Sequence, residues 1–189
     1  NRFTGPRQVV TFGSYVFVAA SSGYWLGPVV VIDVSNPNAP ELAAALDIYE
    51  TQNAVCLAIS SSGDRLYVSS DSDASGQGNS LAVVDVSTPT SPTFLGVVEN
   101  GFYLKKPVSI MAHPTASVVF VCGGSGGSLL TSWDVSNPVA GIPLLSAGAS
   151  VNFGIGRADI SGCKLDDQGN YIYAVDFRDN TVPGGRLIA

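Results

Sequence analysis

Residues 29–42 read VVVIDVSNPNAPEL: four β-branched residues, an aspartate, a Ser-Asn-Pro turn, and a second proline three residues after the first. Near copies stand at 81–94 (LAVVDVSTPTSPTF) and 129–145 (LLTSWDVSNPVAGIPLL). A β-branched run favours an extended strand. Pro37 and Pro89 fix φ and withhold an N–H, which stops strand pairing, and Pro40 and Pro92 repeat the stop before the next run. The carboxylate of Asp33, Asp85 or Asp134 is placed to accept backbone N–H groups of the turn that follows it. The phrase is punctuation between two strands, and its recurrence points to a repeat.

Working outward, the same order of short runs recurs. YVFVAA (15–20), RLYVSS (65–70), VVFVCG (118–123) and YIYAVD (171–176) align on Phe17, Tyr67, Phe120 and Tyr173, which are 50, 53 and 53 residues apart. Before each lies an apolar run, VVTF (9–12), VCLAI (55–59), VSIMA (108–112) or GCKL (162–165), and a tight turn. After it come a Gly/Ser loop, the run ending in Asp, and a run beyond the prolines. ELAAALDIYE (41–50) alone has helical propensity, but its counterpart TFLGVVEN (93–100) carries a glycine and a β-branched pair, which argues for a strand. Four short strands repeated at about fifty residues describe one blade of a β-propeller. Stacked blades bury both faces of each sheet, which explains runs that are apolar at nearly every position.

The phrases VVVIDVSNPNAP, LAVVDVSTPTSP and SWDVSNPVAGIP resemble LVIVD-type propeller repeats, and AISSSGDRLYVSS (58–70) is similar to the related YVTN-type blades. The resemblance covers essentially the whole chain and implies an all-β propeller of six to eight four-stranded antiparallel blades. One propeller segment, 1–189, is expected, with blades near 5–50, 51–101, 102–151 and 152–189. The last is incomplete, RLIA (186–189) matching the third strand. About three and a half blades make roughly half of such a ring; the rival is a closed four-bladed ring whose missing strand comes from elsewhere. The chain starts at Asn1 without an initiator Met, which reads as processing or truncation.

Composition narrows the partners. Apolar residues make up 46% of the 189 and charged residues 13%, the balance of a packed body with uncharged polar loops. The net charge of −6 argues against nucleic acid or an anionic membrane. No apolar stretch approaches the roughly 20 residues that span a bilayer, so no membrane insertion is expected. Cys56, Cys122 and Cys163 sit in apolar contexts without CxxC spacing and read as core residues that form no disulfide with one another.

Chemical motifs are few. CGGSGGSLL (122–130) lacks the lysine of a phosphate loop and reads as a hairpin connection. Asp71, Asp73 and Ser75 alternate before Gly76, as in the first half of a calcium loop, but the closing Glu is absent, and a solvated acidic loop is the preferred reading. KLDDQGN (164–170) is a tight turn. His113, the one histidine, lies in a His-Pro turn and needs no catalytic role. No Ser-His-Asp order is evident, and no cofactor is implied beyond the weak calcium candidate.

In a propeller, the loops joining blades and those between second and third strands share one face. Here they carry Tyr24, Trp25, Tyr49, Phe102, Tyr103, Lys105, Lys106, Phe153, Arg157 and Arg178. Aromatics beside Lys or Arg are the composition of contact surfaces; the other reading tucks some of these rings against neighbouring blades. Two functions stay open. The preferred one is a non-catalytic interaction or structural module of a secreted, cell-surface or periplasmic assembly, binding protein, glycan or other subunits through this face. The alternative is an enzyme of lactonase or quinoprotein type with its site at the central channel, where the inner strands are mostly Val, Ile, Ala and Met, with Asp159 and Lys164 flanking the fourth.

Overall fold

The computed structural model describes residues 5–20, 29–46, 53–71, 79–123, 129–148, 160–176 and 186–188. No helix occurs among them. Blade 1 comprises β1 (Pro6–Phe12), β2 (Tyr15–Ala20), β3 (Val29–Asp33) and β4 (Glu41–Leu46). Blade 2 comprises β5 (Ala54–Ile59), β6 (Arg65–Ser70), β7 (Ser80–Asp85) and β8 (Thr93–Glu99). Blade 3 comprises β9 (Ser109–Ala112), β10 (Val118–Gly123), β11 (Leu129–Asp134) and β12 (Leu144–Gly148). Blade 4 has β13 (Ile160–Leu165), β14 (Ile172–Asp176) and β15 (Arg186–Ile188). Each is an antiparallel meander paired in chain order, so the chain is a partial β-propeller.

The four aromatics take one structural position. Phe17 pairs with Val10, Tyr67 with Ala58, Phe120 with Met111 and Tyr173 with Lys164, all on the first strand of their own blade. The third-to-fourth strand pairing slips at the same place in blades 1 to 3, next to Val31, Val83 and Ser132, leaving Ala43, Leu95 and Leu145 as the extra residues. Such bulges increase the local twist.

Period-two alternation decides what each blade faces. On blade 2, Leu57, Leu66, Val68, Ala82 and Val84 pack with Phe17, Ala19, Val29 and Val31 of blade 1. The intervening Cys56, Ala58, Tyr67, Leu81 and Val83 pack with Ile110, Val119, Val121 and Trp133 of blade 3. Full burial of one such aliphatic side chain contributes about 1.5–3 kcal/mol. Between blades 3 and 4 the buried residues among those described are Met111, Cys122, Leu165 and Ala174, with Phe120, Leu130, Cys163 and Ile172 partly covered.

That third interface corrects the expectation for the cysteines. Cys122 and Cys163 form a disulfide, their Cα atoms 6.6 Å apart. Cys122 lies on the second strand of blade 3 and Cys163 on the first strand of blade 4. Blades stack face to face, however, so a forward-pointing side chain on the second strand of blade 3 meets the first strand of blade 4. Cys56, one interface earlier, is a buried free thiol.

The Asp phrases fold as anticipated. Asp33, Asp85 and Asp134 each accept the N–H of the serine two residues on, Ser35, Ser87 and Ser136, at 2.8 Å. Each turn closes again through Ala39 N–H to Asn36 O, Ser91 N–H to Thr88 O and Ala140 N–H to Asn137 O. The next residue ties the turn to the first hairpin of its blade: Val34 N–H bonds Ser14 O, Val86 bonds Asp64 O, and Val135 bonds Ser117 O.

Candidate functional site

The meander puts the 1–2 hairpins and the 3–4 turns on one face, here the lower, and the 2–3 loops and blade connections on the other, the upper. The first strands are innermost and stitched to one another. Gln8 Oε1 accepts the N–H of Leu57 at 2.7 Å, from blade 1 to blade 2. Ser109 Oγ donates to the carbonyl of Cys163 at 2.8 Å, from blade 3 to blade 4. Register places Gln8, Cys56 and Ser109 at equivalent positions, opposite Ala19, Ser69 and Cys122. Cys56 packs there near the carbonyl of Pro107, and burial pushes its thiol up to about 11. A thiol held there is no nucleophile at neutral pH.

Three blades are joined along the upper rim by a chain of polar contacts. Arg7 Nη2 donates to Asn53 Oδ1 at 3.3 Å, Asp71 N–H to Asn53 O at 3.3 Å, and Lys106 N–H to Asp71 Oδ1 at 3.1 Å. Asn53, Asn79 and Lys106 hold positive φ (59°, 55° and 51°), a left-handed conformation that asparagine tolerates best.

The segment from Asn100 to Lys106, which joins β8 to β9, carries four of the residues expected to make contacts. Asn100 Oδ1 accepts the N–H groups of Phe102 and Tyr103 at 3.0 and 2.9 Å, and Asn100 O accepts that of Leu104 at 3.0 Å. Leu104 is fully buried between blades 2 and 3, and Tyr103 packs partly against the same core. Phe102 points outward, 56% exposed, edge-on to Tyr103 with ring centroids 5.0 Å apart. Lys105 is half-buried and Lys106 exposed. Tyr24, Trp25, Tyr49, Phe153, Arg157 and Arg178 lie outside the described residues, as do Asp73 and Ser75 of the acidic pattern. Arg7, Asn53, Asn79 and Asn100 escaped the sequence reading; an isolated Asn at the edge of a strand was the only signal for three of them.

The lower face has a different chemistry. Ser35 and its counterparts Ser87 and Ser136 hold Asp33, Asp85 and Asp134 below the ordinary carboxylate range. Hydrogen bonds from Ser62 and Ser60 do the same for Asp64. His113 Nδ1 accepts the N–H groups of Thr115 and Ala116 at 3.2 and 2.9 Å, so this nitrogen serves its own turn. The equivalent Ser60 and Asp166 accept the N–H groups of Arg65 and Tyr171 at 3.0 and 2.9 Å. The ring of His113 covers Gly169 of the next blade, where a Cβ would collide with it, and Phe12 covers Gly63 in the same way. A cleft of about 240 Å³ between the hairpins of blades 2 and 3 is lined by Ser60, Asp64, Arg65, Tyr67, His113 and Ser117 among others. Arg65 closes it by donating to the carbonyl of Val135 at 2.7 Å. A second cleft, about 460 Å³, opens beneath the longer 3–4 turn of blade 3, beside Asp134, Asn137 and Ile142. Among the described residues, no three His, Cys, Asp or Glu side chains converge as metal ligands.

The LVIVD repeat model matches residues 6–47 and 58–100, which cover blade 1 and most of blade 2. No curated protein matches the chain. Among solved structures, the chain is similar to hydrazine synthase of Kuenenia stuttgartiensis, at 16% identity and a TM-score of 0.66, over 100% of this chain and 50% of that one. A β-propeller domain from Myceliophteria thermophila aligns at 15% identity and 0.65, over 93% of this chain and 50% of that one. A Bacteroides fragilis protein assigned as a 6-phosphogluconolactonase aligns at 16% and 0.60, over 79% and 40%. At these identities the likeness is one of fold, and the chain spans about half the length of these proteins or less.

Proposed function

We propose that this run of LVIVD repeats is a non-catalytic interaction module of a secreted, cell-surface or periplasmic assembly, which contacts a protein or glycan partner through its upper face. The observation that carries the reading is the Asn100–Lys106 segment. Its backbone is held by Asn100 and Leu104, yet it presents both Phe102 and Lys106 to solvent. An exposed ring on a stiff loop binds without an ordering cost, and variable loops on a rigid scaffold are where recognition concentrates. The Cys122–Cys163 disulfide supports the compartment, since such bonds persist where the surroundings are oxidising.

The lactonase-like neighbour keeps the enzyme reading as the alternative, with the channel mouth near Arg7, Asn53 and Asp71 as its place. The two are separated by a photoreactive residue installed in place of Phe102 or, on the lower face, of Val139, which is 75% exposed. Adducts at position 102 but not at 139 are expected when the protein is illuminated in its native compartment. Adducts only at 139, or lactone hydrolysis by the purified chain that Arg7→Ala removes, would overturn the proposal.

A further inference from the structure

We propose that the lower-face cleft between blades 2 and 3 binds a neutral sugar, with Asp64, Arg65 and Tyr67 as the residues that recognise its hydroxyls. The site is separate from the upper-face contact segment and does not depend on it. The cleft, about 240 Å³, is walled by the first hairpins of the two blades and is also lined by Ser62, Thr115 and Ser117. Its walls keep a fixed spacing, because Ser61 Oγ donates to the carbonyl of Pro114 at 2.7 Å and Arg65 Nη1 to that of Val135 at 2.7 Å. Arg65 and Tyr67 are two residues apart on β6, so both side chains leave the same face of the sheet, toward blade 3. Asp64 stands at the turn just before them, and both charges act through space on the Tyr67 phenol.

Tyr67 is what points to a ligand. It is 5% exposed and lines the cleft, yet no described residue hydrogen-bonds its hydroxyl, and buried polar groups are almost always paired. Packing does not require the hydroxyl, since Phe17 and Phe120 fill the same register position in blades 1 and 3. Arg65 departs from the repeat as well: it faces Asp85 where Tyr15 faces Asp33 and Val118 faces Asp134. Asp64, whose carbonyl ties the 3–4 turn, stands where blades 1 and 3 have Ser14 and Ser117. Those two blades are built without any of the three groups, and all three meet at this cleft. Their chemistry selects the ligand. Burial holds the Tyr67 phenol above the ordinary tyrosine range, so it stays neutral and can both donate and accept. Asp64 spends Oδ1 on the hydroxyls of Ser60 and Ser62 and keeps Oδ2 to accept. Arg65 spends one of its five N–H groups on Val135. A carboxylate beside a guanidinium leaves little net charge to hold a free ion, whereas adjacent sugar hydroxyls give to the one and take from the other.

The probes are methyl mannoside, methyl glucoside and methyl galactoside, read by saturation-transfer NMR with titration of the protein signals. A ligand of about thirteen non-hydrogen atoms at ordinary ligand efficiency has a dissociation constant of about 1 mM, and at least one of the three should bind in that range. Tyr67→Phe keeps the ring that suffices for packing in blades 1 and 3 and weakens binding about five- to tenfold. Asp64→Asn keeps an acceptor for Ser60 and Ser62 and weakens binding about fivefold. Val139→Ala, exposed on the same face outside the cleft, leaves the constant unchanged. A wild-type chain that shows no saturation transfer to any of the three glycosides would overturn the site and leave water as the partner of Tyr67. An unchanged constant in Tyr67→Phe or Asp64→Asn, an equal loss in Val139→Ala, or tighter binding of inorganic phosphate or of zwitterionic glycine than of every glycoside would overturn it as well.

Discussion

Removing the Cys122–Cys163 bond by reduction, or by Cys122→Ala with Cys163→Ala, tests how blade 4 is held. The bond spans a sequence separation of 41 residues. By the chain-entropy relation, a loop of that size restricts the unfolded chain by about 4 kcal/mol at 25 °C. Against a total stability of roughly 5–15 kcal/mol for a domain this is a large share. Met111, Leu165 and Ala174 are buried beside it among the described residues. Reduction should lower the melting midpoint by about 8–16 °C, and limited proteolysis should then cut between blades 3 and 4 first. Cys56→Ala is the control, because its buried thiol takes no part and the reductant effect persists in it. Thiol titration of the unfolded, unreduced chain should find one of the three cysteines free. A wild-type midpoint indifferent to reductant, or a reductant effect that survives in the double variant, would refute the reasoning.

Three further outcomes are expected. A Cβ on Gly96 would run into the carbonyl of Pro138 from the next blade, so Gly96→Ala should cost about 1–3 kcal/mol in urea unfolding; Gly101→Ala, with open space around it, should cost far less. Trp133 Nε1 donates to Thr131 Oγ1 at 2.9 Å in the buried core, so Trp133→Phe should lose about 1–2 kcal/mol, and an unchanged midpoint would count against that bond. Asp33, Asp85 and Asp134 have folded-state pKa values below their unfolded ones. Their contribution is therefore present above about pH 4 and lost as pH falls through the folded values; the triple Asp→Asn variant should show a flatter acid limb, and an identical limb would sink the argument.

The repeat was legible because backbone punctuation is local. A proline, an aspartate and a β-branched run act within a few residues, so Asp33, Asp85 and Asp134 announced their turns without tertiary information. The central aromatics were legible for a related reason, since one position per blade must fill the gap to the next sheet. The disulfide was not, because it depends on which face each cysteine takes and on how high it sits when two blades stack. The first hairpins were opaque in another way. Phe12, Ser60, His113 and Asp166 occupy one position and share no chemistry, and only the register shows that they are equivalent. Phe102 and Tyr103 are adjacent with similar composition, yet the burial of Leu104 turns one outward and the other in.

Those hairpins bear on how a chain of copies avoids assembling in the wrong order. Near-identical sheets with similar apolar faces invite a blade to dock on the wrong neighbour, a known hazard of repeat arrays. Here each joint has its own key at the lower rim. The ring of Phe12 needs the bare backbone of Gly63, and the ring of His113 needs Gly169. Between them, where register puts Ser60 against the hairpin bearing Ala116, a small side chain meets a position that already has a methyl group. Blade 3 offered to blade 1 would set a phenyl ring against that methyl, and blade 4 offered to blade 2 would leave a gap. In a shuffled concatemer with blades 2 and 3 exchanged, the Phe12 ring would meet the Ala116 methyl, and Ala116→Gly should relieve that one clash, while the exchange also parts Cys122 from Cys163.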